Sequence, residues 1–211
     1  MQELVDDADM SDAAFPFRTA REVAIGYARC TVTRITYLGE LGYEILIPTE
    51  QAMHVYDRIT EVGEREEHGL VHAGLKALAS LRMEKGYRDY GHDLDNTDTL
   101  LEAGLGFTAN FETPGGFIGM EAVQAQKAAV GSVAKLPKRM IQVLLDDPEP
   151  FLHHGEVVYR DGEIVGDVRA GSFGHTVSCA AFSQENTRYH LMVGFSLVHA
   201  AACGSLVLRS G

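Results

Sequence analysis

An acidic side chain stands within an otherwise apolar, β-rich run, residues 43–47 (YEILI). If this run is a strand, its side chains alternate between two faces, so Glu44 lies on the opposite face from Tyr43 and Ile45. An ionised carboxylate is costly to bury unless hydrogen-bond donors meet it. Glu44 therefore either lies at a solvated sheet edge, which is the simpler interpretation, or accepts hydrogen bonds from a specific partner.

The run that contains Glu44 is predicted to be the second strand of a β-hairpin. Residues 31–37 and 43–47 are rich in β-branched and aromatic residues, and they flank residues 39–42 (GELG). Two glycines in four residues can supply the positive φ angles of a tight reversal. The bend carries a second carboxylate, Glu40. An antiparallel sheet around this hairpin would position both acids.

Further elements are predicted on either side of the hairpin. Before it, Val23, Ile25 and Tyr27 alternate with smaller residues, which indicates a half-buried strand. After it, Thr49 can cap a helix that ends near Gly63 and lies on the sheet. The apolar residues of this helix recur every three positions: Met53, Tyr56, Ile59 and Val62.

A second helix, predicted over residues 73–86, carries an arginine on an apolar stripe. Leu75 and Leu78 fall on the same face as Arg82. A guanidinium group on such a stripe needs water or an acid at its tip, so a paired structural arginine and a ligand contact are both open. The next segment, residues 87–95, mixes aromatic, acidic and histidine side chains, a composition typical of loops that rim a site.

The composition is that of a folded globular protein. The chain has 211 residues, 45% of them hydrophobic and 23% charged, which suffices for one large domain or a medium and a small one. A formal net charge of −12 opposes non-specific binding to a phosphate backbone, so we predict no nucleic-acid partner. Neither an apolar run long enough for a membrane span nor a secretory leader is evident, so we predict no membrane partner.

Cysteine and histidine usage gives no metal-binding pattern. The three cysteines, Cys30, Cys179 and Cys203, are widely spaced and odd in number, which favours a reduced compartment and no thiolate site. Among nine histidines, His153 and His154 are adjacent and would point to opposite faces of an extended chain. Because no His-Glu-x-x-His motif occurs either, we predict no structural metal.

Five short motifs follow one another along the chain: residues 37–44 (YLGELGYE), 81–86 (LRMEKG), 90–93 (YGHD), 101–105 (LEAGL) and 117–119 (FIG). Any one of them alone would be weak. In order and approximate spacing they resemble the glycine-cleavage T-protein (aminomethyltransferase) superfamily, over residues 7–180. The segment EKGYR, residues 84–88, most resembles the tetrahydrofolate-binding C-terminal half of sarcosine and dimethylglycine dehydrogenases, which are FAD-dependent oxidoreductases.

The resemblance implies an α+β fold in two domains. Residues 1–136 would form the C-terminal part of the folate-binding domain, an antiparallel sheet with packed helices, and residues 137–211 a small C-terminal β-barrel. Within the second domain, Asp161 and Gly162 between two apolar runs give a strong hairpin signal. From about residue 181 the likeness fades, and the tail lacks the closing strands expected, so we expect an incomplete barrel.

The resemblance also implies a function. The chain would bind tetrahydrofolate and capture, as 5,10-methylene-tetrahydrofolate, the one-carbon unit released when an upstream FAD domain oxidises an N-methyl amine such as sarcosine or dimethylglycine. In the family, the tyrosine and the last glutamate of the hairpin motif line the pterin pocket, and here these are Tyr37 and Glu44. Glu40 and Arg82 are weaker candidates for folate binding, and a structural pair formed by these two residues is the alternative.

Departures from the family pattern limit what this chain can do alone. The family's catalytic aspartate belongs to an N-terminal half that this chain does not contain, so we predict no catalytic residue here. Without a Gly-x-Gly-x-x-Gly fingerprint, FAD would bind only on a domain absent from this chain. Leu78 stands near the position of an arginine typical of the glycine-cleavage branch, which favours the dehydrogenase branch.

Two other functions remain open. One is a non-catalytic regulatory module that resembles the regulatory subunit of pyruvate dehydrogenase phosphatase, and the other is a piece of a glycine-cleavage aminomethyltransferase. The expected compartment is the mitochondrial matrix for a eukaryotic protein and the cytoplasm for a bacterial one.

Overall fold

The structure is a computed structural model that describes residues 1–132, 135–145 and 151–176, together with the backbone of strands at 190–198 and 206–208. The chain forms two compact units, unit 1 (Met1–Leu78) and unit 2 (Ala79–Gly211). Both contain helices and antiparallel sheets, which confirms the predicted α+β class. The predicted domain division after residue 136 stays a prediction, and Cys179 and Cys203 lie outside the described residues.

Unit 1 is built on a three-stranded antiparallel sheet in the order β1-β2-β3. A tight turn joins the first two strands, and Gly26 in this turn has a φ of 58°. Tyr27, predicted to lie in a strand, also lies in the turn and is 72% exposed, because the chain reverses one residue before it. The strands are β1 (Ala20–Ile25), β2 (Ala28–Thr33) and β3 (Glu44–Leu46).

One helix covers the sheet of unit 1, as predicted. Helix α1 spans Ala52–Gly63, and Val55 and Val62 are buried on the sheet side. Met53 and Tyr56, predicted to face inward, are exposed, because an α-helix turns once in 3.6 residues and a strict spacing of three drifts away from the buried stripe. Thr49, the predicted cap, instead begins a short 3-10 helix, Thr49–Gln51.

The first fifteen residues complete the core of unit 1. Val5, Met10 and Phe15 are buried among the strand side chains. The side chain of Gln2 fixes this segment: its amide nitrogen donates to the carbonyl oxygens of Val5 and Ala8, and its oxygen accepts the N–H of Met10 at 2.8 Å. Partly buried residues at the rim of this core are Met1, Leu4, Ala8, Tyr43, Ile45, Ile47 and Ile59.

Two helices precede the sheet of unit 2. Helix α2 spans Leu75–Glu84 and is followed by Gly86, whose φ of 68° ends it as the sequence predicted. Leu75 is 83% exposed, contrary to the predicted apolar stripe, whereas Leu78 on the same face is half-buried. Helix α3 spans Met120–Val130. None of the helices in the described ranges is long and apolar enough to cross a membrane.

The sheet of unit 2 has five antiparallel strands in the order β4-β7-β6-β5-β8. The predicted hairpin is confirmed: β5 and β6 are joined at Asp161 and Gly162, with φ angles of 55° and 89°. The expectation that the tail lacks strands is wrong, because β7 pairs with both β4 and β6, and β8 pairs with β5. The strands are β4 (Lys138–Leu144), β5 (Val157–Arg160), β6 (Glu163–Gly174), β7 (His190–Val198) and β8 (Leu206–Leu208).

Candidate functional site

The predicted pairing around Glu44 is confirmed, but the connection between the strands is longer than predicted. Glu44 of β3 lies opposite Thr33 of β2, and the chain from residue 34 to residue 43 forms the connecting loop, hereafter the 34–43 loop. The β2-β3 ladder ends at Thr33, whereas the next residue, Arg34, continues the pairing of β2 with the residues just before β1. Its N–H donates to the carbonyl of Thr19 at 3.0 Å, and its carbonyl accepts the N–H of Arg18 at 2.8 Å.

Gly39 and Gly42 are required in the 34–43 loop for different structural reasons. Gly39 has a φ of 80° and makes the predicted reversal. Gly42 is not among the residues with positive φ, which corrects the prediction for it. A Cβ at Gly42 would lie 2.9 Å from the carbonyl oxygen of Ile35 and 3.1 Å from the Cβ of Thr36. Gly42 is therefore required because two parts of the loop pack closely against each other.

The structure places Glu44 at an exposed edge. Strand β3 is the last strand of its sheet, and the Glu44 side chain lies on the solvent face while Tyr43 and Ile45 pack on the core, as the alternation predicted. Within the described part of the chain, no side chain or backbone N–H donates to this carboxylate. Tyr37 is half-buried in the 34–43 loop, and Glu40 is exposed in the same loop. Of the two interpretations of Glu44, the exposed edge is therefore the one that the described chain adopts.

Both ends of the 34–43 loop are anchored on one core residue, Phe15. At the start of the loop, the buried guanidinium of Arg34 donates from Nη1 to the carbonyl oxygen of Phe15 at 2.8 Å, while Nη2 pairs with the carboxylate of Asp12. At its end, the ring of Tyr43 stacks on that of Phe15 with centroids 6.2 Å apart. These two contacts with Phe15 were not predicted, although an arginine directly after a buried strand is a signal for a buried hydrogen-bonded guanidinium.

Arg82 is a buried structural arginine. Its side chain is 6% exposed and forms a two-point ion pair with Asp93, whose side chain is 5% exposed; the Nη2–Oδ1 distance is 3.2 Å. Nη1 also donates to the carbonyl of Tyr87 at 3.0 Å, and Asp93 accepts the N–H of Asp89 at 2.9 Å. The suggested pair of Arg82 with Glu40 is wrong, because Asp93 occupies the guanidinium; a contact of Arg82 with a ligand stays a prediction.

The segment after α2 lines a cavity, and its place at the rim of a functional site stays a prediction. The cavity is small and open to solvent, and three arginines contribute to its wall. Asp93 accepts hydrogen bonds from Arg82, and the Gly86 and Ala103 carbonyls accept from Arg88. The Nε atom of Arg169 lies 2.9 Å from a carboxylate oxygen of Asp167 as an ion pair, without the geometry of a hydrogen bond. The apolar part of the wall is formed by Met83, Met140 and Ile141.

Comparison with known protein families gives two matches. Residues 1–113 match the family model described as the GCVT N-terminal domain. Residues 138–181 match the glycine cleavage T-protein C-terminal barrel domain, which confirms the predicted barrel class for this part of the chain.

Three curated relatives illustrate the range of proteins that contain similar sequences. Sarcosine dehydrogenase, mitochondrial, from Mus musculus is 39% identical over 172 residues, which are 82% of this chain and 18% of that protein. The aminomethyltransferase of Caldanaerobacter subterraneus is 36% identical over 178 residues, 84% of this chain and 44% of that protein. The mitochondrial pyruvate dehydrogenase phosphatase regulatory subunit from Mus musculus is 34% identical over 175 residues, which are 81% of this chain and 19% of that protein.

A solved structure supports the fold. The glycine cleavage system aminomethyltransferase T from Bartonella henselae superposes with a TM-score of 0.67 at 22% identity, covering 86% of this chain and 45% of that one. The chain therefore spans less than half the length of the aminomethyltransferases it matches, and 18–20% of the sarcosine and dimethylglycine dehydrogenases.

Proposed function

Since the chain belongs to the glycine-cleavage T-protein family, we propose that it binds tetrahydrofolate at β3 and the 34–43 loop. The observation that carries this proposal is the exposed carboxylate of Glu44, held on an edge strand within the family-matched residues 1–113. Tyr37 and Glu44 are the principal contacts, Glu40 is a secondary one, and Arg82 is the least favoured of the four because Asp93 already pairs with it.

The chemistry of these side chains fits a pterin ring. The ring presents a ring N–H and an amino group side by side, and an ionised carboxylate accepts hydrogen bonds only, so Glu44 can take both donors. Charge-assisted hydrogen bonds of this kind are worth about 1.5–3 kcal/mol each. The exposed carboxylate is accessible to a ligand, and Leu46, 67% exposed on the same face of β3, offers an apolar surface beside it.

In a longer protein, the bound folate would receive a one-carbon unit. The similarity to sarcosine and dimethylglycine dehydrogenases supports a source in the oxidation of an N-methyl amine on an FAD domain outside this chain, with 5,10-methylene-tetrahydrofolate as product. We assign no catalytic residue to this chain; its part is to bind and orient the folate. The mitochondrial names of the dehydrogenase relatives support a matrix location for a eukaryotic parent.

Replacing Glu44 by glutamine tests the proposal. Glutamine keeps one acceptor oxygen but turns an N–H donor toward the donors of the pterin, so we expect 5-formyl-tetrahydrofolate to bind about 10–100-fold more weakly. The measurement is titration calorimetry on the 211-residue chain. The matched control is Glu50→Gln, which removes an exposed carboxylate just after β3 and should leave the affinity unchanged. Absence of folate binding by the wild-type chain, or equal binding by Glu44→Gln, would contradict the proposal.

A non-catalytic regulatory module is the second candidate function. The observation that favours it is the 34% identity over 175 residues to the pyruvate dehydrogenase phosphatase regulatory subunit. This function predicts a complex with a partner protein that forms equally well with and without folate. It also predicts that Glu44→Gln leaves this complex intact, whereas a folate-dependent module would be impaired by the same change.

A further inference from the structure

Two histidines that are distant in the sequence meet on the surface of unit 2. His92 lies in the segment after α2, and His154 lies just before β5. Their ring centroids are 5.0 Å apart, and the ring planes meet at 61°. Both side chains are exposed, so a solute can reach them. The pair was not visible in the sequence, where only the adjacent His153 and His154 stood out.

The protein fixes the same tautomer in both rings. Nδ1 of His154 lies 2.7 Å from the backbone carbonyl oxygen of Arg169, and Nδ1 of His92 lies 3.2 Å from Oδ1 of Asp93. A carbonyl or carboxylate oxygen can only accept a hydrogen bond, so each Nδ1 carries the proton. In the neutral rings, each Nε2 then has a lone pair, and each faces away from the acceptor that holds Nδ1.

We propose that His92 and His154 together bind a divalent transition-metal ion, with zinc as the best fit. Histidines that ligate metals usually donate their other N–H to a carboxylate or a backbone carbonyl. His92 does so to the carboxylate of Asp93, and His154 to the backbone carbonyl of Arg169. Two imidazoles that share a tetrahedral zinc ion at about 2.1 Å have centroids about 5 Å apart. The observed centroid separation of 5.0 Å allows this arrangement.

The described part of the chain supplies two ligands, and water would complete the coordination. No cluster of three or more His, Cys, Asp or Glu residues that could hold a metal occurs in the described ranges. Because both rings are exposed, an ion bound by them would exchange with solvent. Imidazole ligands select zinc, copper or nickel over magnesium or calcium, which prefer oxygen ligands. The carboxylate behind His92 belongs to Asp93, whose position is fixed by Arg82. The bound ion would thus join the segment after α2 to the segment before β5.

Zinc titration of the 211-residue chain tests the proposal, independently of folate binding. We expect one saturable site by calorimetry, and either His92→Asn or His154→Ala should weaken zinc binding about 10-fold or more. The matched control is His153→Ala, which removes the neighbouring histidine, whose ring packs against Phe151, and should leave the affinity unchanged.

Cobalt gives a second readout of the same site. Substitution of Co²⁺ should produce an absorption band of a nitrogen-ligated ion that is lost in His154→Ala. Thermal unfolding without metal should be unchanged in these surface variants, which shows that they fold. The proposal is overturned if the wild-type chain has no saturable zinc site, or if His92→Asn or His154→Ala binds zinc as tightly as the wild type.

Discussion

Replacing Asp93 by asparagine is expected to destabilise unit 2 by about 3–5 kcal/mol, because the change removes one partner of a buried ion pair. The side chains of Arg82 and Asp93 are only 6% and 5% exposed. A guanidinium group cannot lose its proton in a protein, so Arg82 would remain charged and buried without a counter-charge. The two carboxylate oxygens of Asp93 accept from Arg82 and from the backbone N–H of Asp89, and the single acceptor oxygen of asparagine cannot replace both.

Urea unfolding followed by far-ultraviolet circular dichroism measures this effect. Asp89→Asn is the matched control, since it neutralises an exposed carboxylate in the same segment and should change stability by less than about 0.5 kcal/mol. The double variant Arg82→Met with Asp93→Leu should recover much of the loss, because it removes both charges. If Asp93→Asn lowers the free energy of unfolding by no more than the control does, the Arg82–Asp93 ion pair does not have this structural role.

Replacing Phe15 by alanine is expected to destabilise unit 1 by about 3–5 kcal/mol, the usual range for truncating a buried phenylalanine. The Phe15 side chain is fully buried in the core of unit 1, where it stacks on Tyr43. The cavity would open beside the ring of Tyr43, at the end of the 34–43 loop. The same variant should therefore loosen β3 as well as lower the stability of the core.

Phe17 provides the comparison, since it is the same residue type two positions later but 55% exposed. Phe17→Ala should cost less than about 1 kcal/mol. Thermal unfolding gives both values, and hydrogen exchange of the β3 amides reports the loosening of the strand. If the two alanine variants lose equal stability, Phe15 is not the anchor that its contacts indicate.

Local sequence patterns predicted those features of the fold that depend on neighbouring residues. The Asp161-Gly162 turn and the pairing of β2 with β3 follow from turn residues and β-branched runs, and both are present. The strands of the tail were not predicted, because the resemblance to the family ends near residue 181. A run such as 190–198 can nevertheless pair with a neighbouring strand, since backbone hydrogen bonding does not depend on the family resemblance. Met53 and Tyr56 were misplaced because a spacing of three only approximates a helical face.

Partners brought together by tertiary structure could not be predicted. Asp93 reaches Arg82 only because the intervening segment folds back on α2, and the sequence offered several other acids, including Glu40. Likewise, the alternation of side chains in β3 predicts which face of the strand carries Glu44. It does not predict whether another part of the chain packs on that face. The position of β3 at the edge of its sheet leaves the Glu44 carboxylate exposed.

The most direct test of the folate proposal combines one protein change with one ligand change. Titration calorimetry would compare 5-formyl-tetrahydrofolate with its analogue that lacks the 2-amino group, on the wild-type chain and on Glu44→Gln. If Glu44 accepts hydrogen bonds from that amino group, the wild-type chain should prefer the natural ligand by about 10-fold, or 1.4 kcal/mol, and the variant should not distinguish the two. Equal discrimination by both proteins would contradict the account.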